Sequence, residues 1–339
     1  MKTTVFGAGA WGIALSALLR DNGHAVTLRS SSPELARELS VSRVNPRFAG
    51  VTIPDGIDIT ENAAEAAEGA ELAVLATAST ALLGAAELLL KNAPRECMIV
   101  CCTKGIDSGD KPDSSRLFSK VLRDIFGKNR AIASVSGPAH AEEVARKIPT
   151  ACVAASRDKL AAETIQDVFM NEYFRVYTSD DVIGVELGGA LKNVIALCAG
   201  ICDGLGFGDN TIAMLATRGL AEIAHLTLAL GGRRETIAGL AGLGDLIVTC
   251  TSRHSRNRRA GVLIGRGASA GEAMEEVGAV VEGYYAAKAA HDLSRRAGVD
   301  MPICAEAYSV LYENKDARAA IRELMTRTRR SETEASFMG

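Results

Sequence analysis

The first half of the chain alternates short apolar runs with helix-like segments, the pattern of βαβ units around a parallel sheet. Runs of strand length occur at residues 3–6, 25–29, 72–76, 98–102, 132–134 and 152–155. Segments with helical spacing lie between them, including residues 11–20 and 81–90. This order predicts an α/β fold with a doubly wound, mainly parallel sheet.

After about Thr178 the pattern changes to long helical stretches rich in Ala and Leu, and no strand is predicted there. Apolar side chains recur at intervals of three and four, which marks one face of a helix: Leu187, Leu191, Val194, Ile195, Cys198, Ile201 and Cys202. We therefore predict a sheet domain over residues 1–179, an all-helical domain over 180–330, and a frayed polar tail over 331–339.

The composition is that of a globular protein large enough for two domains. The chain has 339 residues, of which 47% are hydrophobic and 23% charged. Its 38 Lys and Arg face 41 Asp and Glu, and aromatic residues make up only 4%. A nucleic-acid-binding protein usually has a basic surplus and aromatic stacking residues. Nucleic acid is therefore not expected as a partner.

The eight cysteines lack the spacing of a disulfide framework or a zinc ribbon. Cys198 and Cys202 lie one helical turn apart, but no His or second Cys pair accompanies them, so no metal site is predicted. Reduced, buried thiols are the expected state, which fits the cytoplasm.

The apolar run at residues 5–19 follows Lys2 and resembles a secretory signal peptide. Three glycines, Gly7, Gly9 and Gly12, interrupt this run, and their spacing is explained by the motif that they form. We predict neither export nor a membrane span.

These glycines belong to Gly7-Ala8-Gly9-Ala10-Trp11-Gly12, which fits G-x-G-x-x-G between a predicted strand and a predicted helix. In a dinucleotide site the first glycine allows the tight turn, and the second lets the pyrophosphate approach the backbone. The third permits close packing of helix on sheet. A simple glycine-rich turn is the alternative, and the strand-glycine-helix order favours the dinucleotide site.

The end of the second predicted strand bears on which dinucleotide binds. An NAD site usually has Asp or Glu there for the ribose 2′-hydroxyl. Here the residues are Arg29, Ser30, Ser31 and Ser32, whose guanidinium and hydroxyls suit a 2′-phosphate. NADP(H) is therefore favoured, and NAD(H) is the alternative cofactor. Arg29 could instead be an ordinary solvated residue at the end of the strand.

Two polar loops follow strands at the edge where open α/β sheets bind ligands. Lys104 follows the strand at 98–102, and residues 136–139, Ser-Gly-Pro-Ala, follow the strand at 132–134. Either loop could be a plain turn, but two polar loops at the same edge are better explained as walls of a binding site.

Lys192 interrupts the apolar helix that begins near Leu187, with Asn193 beside it. A lysine that extends its amine to solvent and a functional lysine are equally good explanations from the spacing.

Residues 252–259, Ser-Arg-His-Ser-Arg-Asn-Arg-Arg, hold four arginines within seven residues. A solvated basic turn is one interpretation and a nucleic-acid patch a weaker one. A phosphate-bearing ligand is the sharper hypothesis, because arginine forks and Ser or Asn donors match phosphate oxygens.

Taken together, seven blocks resemble bacterial NAD(P)-dependent glycerol-3-phosphate dehydrogenase, over about residues 5–285. The blocks are GAGAWG, CCTKGI, SGPAHAEEVA, LKNVIALCAGICDGLGFGDN, TRGLAEI, GLAGLGDLIVTCTSRHSRNR and VEGY. The resemblance implies a Rossmann-like dinucleotide-binding domain and a helical substrate domain. It also implies interconversion of dihydroxyacetone phosphate and sn-glycerol 3-phosphate, for glycerophospholipid synthesis. A homodimer is left open.

The resemblance also assigns roles to residues. The catalytic side chains are Lys192, Lys104 and Asp245. The substrate-binding residues are Lys104, Gly137, Ala139, Lys192, Asp245, Ser255, Arg256 and Asn257. The cofactor-binding residues are Gly7, Gly9, Ala10, Trp11, Gly12, Arg29, Lys104, Ala141, Arg256, Val280 and Glu282.

This chain departs from the family pattern at three places. Ala10 and Ala139 stand where the family usually has hydroxyl residues, and Arg29-Ser30-Ser31 stands where it usually has Trp-Gly-Arg. The first two departures remove a side-chain hydrogen bond, and the third changes the 2′-phosphate contact.

The implied mechanism has Lys192 protonate the alkoxide that forms as hydride reaches the carbonyl carbon. Asp245 either orients Lys192 or bonds a substrate hydroxyl, and both roles stay open. A reductase for another small phosphorylated or carboxylated compound is one alternative. An NADP(H) sensor without catalysis is the other, but a sensor has no need of Lys192, Asp245 and the Ser255-Arg256-Asn257 group together.

Overall fold

The apolar runs of the first half form strands at the predicted places. The computed structural model describes residues 1–48, 50–109, 111, 114–329 and 331. Its strands are β1 (Lys2–Phe6), β2 (Ala25–Arg29), β3 (Ile57–Thr60), β4 (Leu72–Leu75), β5 (Met98–Cys101), β6 (Ile106–Asp107), β7 (Arg116–Leu117), β8 (Ile132–Ser136), β9 (Thr150–Ala155) and β10 (Phe174–Ser179).

Eight of these strands form one sheet in the order β10-β9-β8-β5-β4-β1-β2-β3, while β6 and β7 pair separately. The strands from β3 to β8 along this order are parallel, and β9 pairs antiparallel with β8. The strand order reverses at β1, which lies between β2 and β4. Open α/β sheets bind ligands at such a switch point. The Rossmann-like fold class is confirmed.

Two strands of this sheet, β3 and β10, were not predicted from the sequence, and they lie at its two edges. The β10 strand alternates buried and exposed residues, with Tyr177 half exposed. An edge strand with one solvated side carries polar residues at alternate positions, so it lacks the continuous apolar run of a central strand.

Helices cover both faces of the sheet. Along β4, Leu72 and Val74 join an apolar cluster that includes Ile13, whereas Ala73 and Leu75 join a second cluster that includes Leu89. Successive side chains of a strand point to opposite faces. The helices of this half are α1 (Ala10–Asp21), α2 (Pro33–Ser42), α3 (Ala63–Ala67), α4 (Leu82–Asn92), α5 (Phe118–Phe126), α6 (Ala141–Val144) and α7 (Lys159–Phe169).

The rest of the described chain is helical, as predicted. Its helices are α8 (Val182–Gly204), α9 (Asp209–Ala229), α10 (Arg234–Ala238), α11 (Asp245–Thr251), α12 (Arg256–Gly265), α13 (Ala270–Val277), α14 (Glu282–Ala297), α15 (Pro302–Tyr312) and α16 (Ala317–Met325). A single π-type turn, Leu240–Gly244, precedes α11.

Contacts divide the chain into two units. The first comprises Met1–Asp107 and Arg116–Glu186, and the second comprises Ser108–Ser115 and Leu187–Gly339. The predicted domain boundary near Ser179 coincides with the end of β10, whereas the contacts divide the chain inside α8. Of the predicted frayed tail, residues 332–339 lie outside the described residues.

Glycines fix the packing of α12 on α8 within the second unit. A Cβ atom at Gly261 would collide with the carbonyl oxygen of Leu197, and one at Gly265 with that of Ile201. On the facing helix, a Cβ at Gly200 would collide with the carbonyl oxygen of Arg258. Small residues four apart let two helix backbones approach this closely. The beginning of α12 is therefore held beside the middle of α8.

Two helices, Val182–Gly204 and Asp209–Ala229, have the length and apolar composition of a membrane span. The apolar window of the first is 89% buried inside the protein, as in the core helix of a soluble protein. The second window is 44% buried. Two such helices are weak evidence for a membrane span.

Candidate active site

The glycine motif forms the turn between β1 and α1, and each glycine has its own steric reason. Gly7 has φ +122°, and a Cβ there would lie 2.6 Å from the carbonyl oxygen of Ala76 at the end of β4. A Cβ at Gly12 would collide with the carbonyl oxygen of Gly7. A Cβ at Gly9 would meet no described atom within 4 Å.

This turn fits a pyrophosphate. The backbone at Gly9 is open, and Gly9 caps α1 without a side-chain hydrogen bond. The first N–H groups of a helix lack partners inside the helix and attract anions. This turn therefore meets two conditions for holding a pyrophosphate, an open backbone at Gly9 and a helix N-terminus that begins at Ala10.

Two side chains hold the turn in place. The indole N–H of Trp11 donates to the carbonyl oxygen of Cys102 at 3.2 Å. The buried amide of Asn45 donates to the carbonyl oxygen of Ala8 at 2.9 Å. Sequence reasoning missed Asn45, because it lies 37 positions from Ala8 and outside any motif.

The two predicted polar loops meet at the same sheet edge. The Lys104 ammonium donates to the carbonyl oxygen of Gly137 at 2.7 Å, which joins the loops that follow β5 and β8. Gly137 has φ +147°, and a Cβ there would lie 2.9 Å from the Cα of Cys152. Ala139 packs on the apolar core, and Ala141 begins α6.

The segment after β2 is organised by its serines. Ser30 is buried, and its Oγ donates to the carbonyl oxygen of Ser32 at 3.0 Å. The Ser32 Oγ caps α2 by accepting from the N–H of Leu35 at 3.1 Å, and it donates to Glu34 at 2.8 Å. Two of the three predicted hydroxyls therefore have local structural roles, and Ser31 is exposed.

Arg29 lies half-buried at the end of β2. Its Nε donates to the carbonyl oxygen of Glu61 at 3.3 Å, and its guanidinium lies 5.2 Å from the centre of the Phe6 ring. Burial lowers the pKa of Arg29 from its ordinary value. These contacts hold the guanidinium beside the carboxyl end of β1, next to the glycine turn.

The second unit buries a lysine, a carboxylate and a hydroxyl together. Lys192, only 5% exposed, donates from Nζ to Asp245 Oδ1 at 2.5 Å and to Thr249 Oγ1 at 2.6 Å. The Thr249 hydroxyl donates to the backbone oxygen of Asp245 at 2.6 Å. Lys192 therefore does not extend its amine to solvent.

Sequence reasoning named Lys192 and Asp245 but missed Thr249. The signal was present, because Asp245 and Thr249 are four residues apart and share one face of α11. The π-type turn before Asp245 packs on α8, since a Cβ at Gly188 would lie 2.6 Å from the carbonyl oxygen of Ala241. That close approach brings the beginning of α11 to Lys192.

Asn193 starts a second group of contacts on α8. Its side-chain oxygen accepts from the Asn257 amide at 2.8 Å, and the Asn257 oxygen accepts from the N–H of Gly283 at 2.8 Å. Asn193 and Asn257 are buried. The predicted residues of α12 and α14 are thus joined to α8 by one short chain of amides, with Glu282 as the first residue of α14 and Val280 just before it.

The residues predicted to bind the substrate phosphate lie at the beginning of α12. The buried Ser255 caps the helix, and its Oγ accepts from the N–H of Arg258 at 3.2 Å. Its hydroxyl hydrogen and the second amide hydrogen of Asn257 can each donate to a further acceptor. Arg256 is the first residue of α12 and is exposed.

Among the residues that the structure describes, no group of three or more His, Cys, Asp or Glu side chains could hold a metal ion.

Comparison with known proteins gives one consistent result. The models named NAD-dependent glycerol-3-phosphate dehydrogenase N-terminus and C-terminus match residues 2–162 and 181–322. A protein of Fusobacterium nucleatum named glycerol-3-phosphate dehydrogenase (NAD(P)+) is 45% identical over 336 residues, which cover 99% of both chains. A protein of the same name from Thermoanaerobacter sp. is 48% identical over 98% of this chain and 99% of its own.

A solved structure agrees with these matches. The crystal structure of glycerol-3-phosphate dehydrogenase from Coxiella burnetii superposes with a TM-score of 0.91 at 34% identity, over 96% of this chain and 99% of that chain. The family and enzyme class predicted from the sequence are confirmed. The chain therefore belongs to the NAD-dependent glycerol-3-phosphate dehydrogenase family, a family of oxidoreductases.

Proposed function

We propose that this protein interconverts dihydroxyacetone phosphate and sn-glycerol 3-phosphate with NAD(P)H, and that it supplies glycerol 3-phosphate for phospholipid synthesis in the cytoplasm. The observation that carries the proposal is the buried contact of Lys192 with Asp245 and Thr249. A lysine bonded in this way is fixed in position to exchange one proton with a substrate oxygen.

When bound, NAD(P)H would supply the hydride for reduction of the carbonyl carbon. The Lys192 ammonium gives a proton to the carbonyl oxygen as it becomes an alkoxide, and solvent later replaces that proton. In the reverse direction the neutral amine accepts the proton from the hydroxyl. Because Asp245 bonds Lys192 directly, its orienting role is favoured over a bond to the substrate hydroxyl.

The substrate phosphate is assigned to the beginning of α12. A guanidinium at Arg256 can hold two phosphate oxygens at once, and the Ser255 hydroxyl and the Asn257 amide can add donors. The N-terminus of a helix also favours negative charge. The family resemblance also assigns Lys104, Gly137 and Ala139 to the substrate.

NADP(H) is the proposed cofactor, and NAD(H) is the alternative. Arg29 and the exposed Ser31 lie where an NAD site usually has a carboxylate. Glu34 in the first turn of α2 is the nearby acidic residue that could serve a ribose hydroxyl instead. The family resemblance supplies the other proposed cofactor contacts, which are Gly7, Gly9, Ala10, Trp11, Gly12, Lys104, Ala141, Arg256, Val280 and Glu282.

The activity is tested by mixing the purified protein with dihydroxyacetone phosphate and either NADPH or NADH, and following the absorbance of the reduced cofactor. We expect its oxidation, and formation of sn-glycerol 3-phosphate in equal amount. Absence of turnover with both cofactors would contradict the proposed substrate.

Lys192→Ala should lower kcat by about 10² to 10⁴-fold, because a positioned proton donor contributes that much. Trp11, the single tryptophan of the chain, provides a fluorescence probe of cofactor binding, which we expect to be nearly unchanged. The variant also loses the buried ion pair between Lys192 and Asp245, so a loss of about 3 to 5 kcal/mol of stability is also expected.

Thermal unfolding in the presence of cofactor separates the two effects of Lys192→Ala. Rates are compared at a temperature where the variant is fully folded. If the folded variant keeps more than about a tenth of the wild-type kcat, the proton donor lies elsewhere.

Arg29→Ala should narrow the preference for NADPH over NADH, measured as the ratio of the two kcat/KM values. The reason is that a 2′-phosphate loses a charge-assisted partner while a 2′-hydroxyl does not. Arg37→Ala is the matched control, because Arg37 is an exposed arginine on α2. A wild-type preference for NADH, or an unchanged ratio in Arg29→Ala, would show that Arg29 does not contact the 2′-phosphate.

Arg256→Ala should lower kcat/KM for dihydroxyacetone phosphate by roughly 10 to 10²-fold, since charge-assisted hydrogen bonds contribute about 1.5 to 3 kcal/mol each. The loss should be smaller with unphosphorylated dihydroxyacetone, which has no group for Arg256 to hold. Both enzymes on both substrates form a double-difference cycle. Arg259→Ala, an exposed arginine of the same helix, is the control. Equal fractional losses on the two substrates would assign Arg256 to the cofactor or the fold.

A further inference from the structure

Glu186 is a buried carboxylate in the first turns of α8 that the proposed chemistry does not use. Its two oxygens accept from the backbone N–H of Ser119 at 2.9 and 3.2 Å. They also accept from the Ser119 hydroxyl at 2.8 Å and from the Ser134 hydroxyl at 2.7 Å. Burial raises the pKa of Glu186, and the serine hydrogen bonds oppose that rise.

These contacts connect three elements of the first unit. Ser134 lies in the middle of β8, and Ser119 lies in the first turn of α5. The residue that caps α5, Leu117, offers no side-chain hydrogen bond, so Glu186 satisfies an N–H group that the helix leaves without a partner. A buried carboxylate is tolerated because it is bonded on both oxygens.

The two chain segments that Glu186 joins both lead to proposed substrate residues. The β8 strand ends at Ser136 and continues directly into Gly137. The α8 helix continues to Lys192, six residues further on, which is about 9 Å along the helix axis. Gly188 lies between them, where α8 packs closely on the turn before Asp245.

We infer that Glu186 is a positioning residue for the reaction, because it fixes the first turns of α8, the helix that carries Lys192. An α-helix transmits an axial shift along its length, because its backbone hydrogen bonds keep the rise per residue fixed. A displacement of about 1 Å at a reacting group can cost about 10²-fold in rate. This inference rests on the proposed role of Lys192.

The test compares Glu186→Ala, Glu186→Gln and the wild type in single-turnover reduction of dihydroxyacetone phosphate by NADPH. Glu186→Ala loses the hydrogen bonds of Glu186, and we expect its reduction rate to fall by about 10 to 10²-fold. We expect its KM for the substrate and its cofactor affinity, read from Trp11 fluorescence, to stay within about threefold of the wild type, because no contact to either ligand is removed.

Glu186→Gln should restore most of the rate. Its amide oxygen can accept from the Ser119 N–H, and its amide nitrogen can donate to a serine hydroxyl, which also accepts. We expect a rate within about fivefold of the wild type, the equivalent of one weakened hydrogen bond. Rescue by glutamine would show that the reduction rate depends on the hydrogen bonds of residue 186 rather than on its charge.

Ser156→Ala is the matched control for lost stability. The buried Ser156 hydroxyl donates to the carbonyl oxygen of Ile132 on β8 at 2.8 Å, so the variant also loses a buried hydrogen bond to this strand without touching α8. We expect a lower melting temperature and an unchanged reduction rate. If Glu186→Ala does not fold, Ser134→Ala, which removes one of the bonds, replaces it with an expected rate loss of about threefold to tenfold.

Three results would overturn the inference: an unchanged rate in folded Glu186→Ala, an equal rate loss in Ser156→Ala, or a glutamine variant as slow as the alanine variant. These results are distinct from failure of the proposed function. In that case the wild type itself would not reduce dihydroxyacetone phosphate, or Lys192→Ala would keep its rate.

Discussion

The burial of the Lys192 ammonium is the constraint on which the helical unit depends. A charged group inside a protein is tolerated when opposite charge and hydrogen-bond partners replace the water it has lost. Asp245 and Thr249 supply both, at 2.5 and 2.6 Å. Because these two residues come from one turn of α11, the position of α11 relative to α8 is fixed within narrow limits. The same bonds hold the ammonium in one position, as the proposed proton transfer requires.

This placement depends on glycines that let the backbones of neighbouring elements approach α8 closely. Gly188 lets the turn before Asp245 lie against α8, and Gly200 and Gly261 let α12 do the same further along. Any side chain at these positions would separate the helices. As a result, neighbouring residues of α8 serve different partners, with Lys192 bonded to Asp245 and Asn193 bonded to Asn257.

In the sheet unit, polar side chains hold loops in position. The glycine turn leaves its backbone open at Gly9 and has few side chains with which to stabilise itself. Asn45 and Trp11 hold it through carbonyl oxygens, and the Lys104 ammonium joins two neighbouring loops in the same way. Glu186 extends this arrangement to α8 by connecting its first turns to β8. Each of these polar side chains is bonded to a group remote in sequence.

The sequence by itself determined the features that depend on local pattern. Apolar runs located the central strands, the glycine spacing located the turn, and the resemblance assigned Lys192, Asp245 and Arg256. Edge strands such as β10 were not predicted, because a strand with one solvated side has no continuous apolar run.

Only the tertiary structure decided which side chains meet. From spacing, Lys192 could equally have extended to solvent, and the only sequence signal for Thr249 was its position four residues after Asp245. Asn45, Ser134 and Glu186 were not recognised, because their partners lie 37 to 67 positions away and no local motif marks them. The physical reason is that local pattern reflects burial and backbone geometry, whereas the partners of a buried polar group are fixed when distant elements pack together.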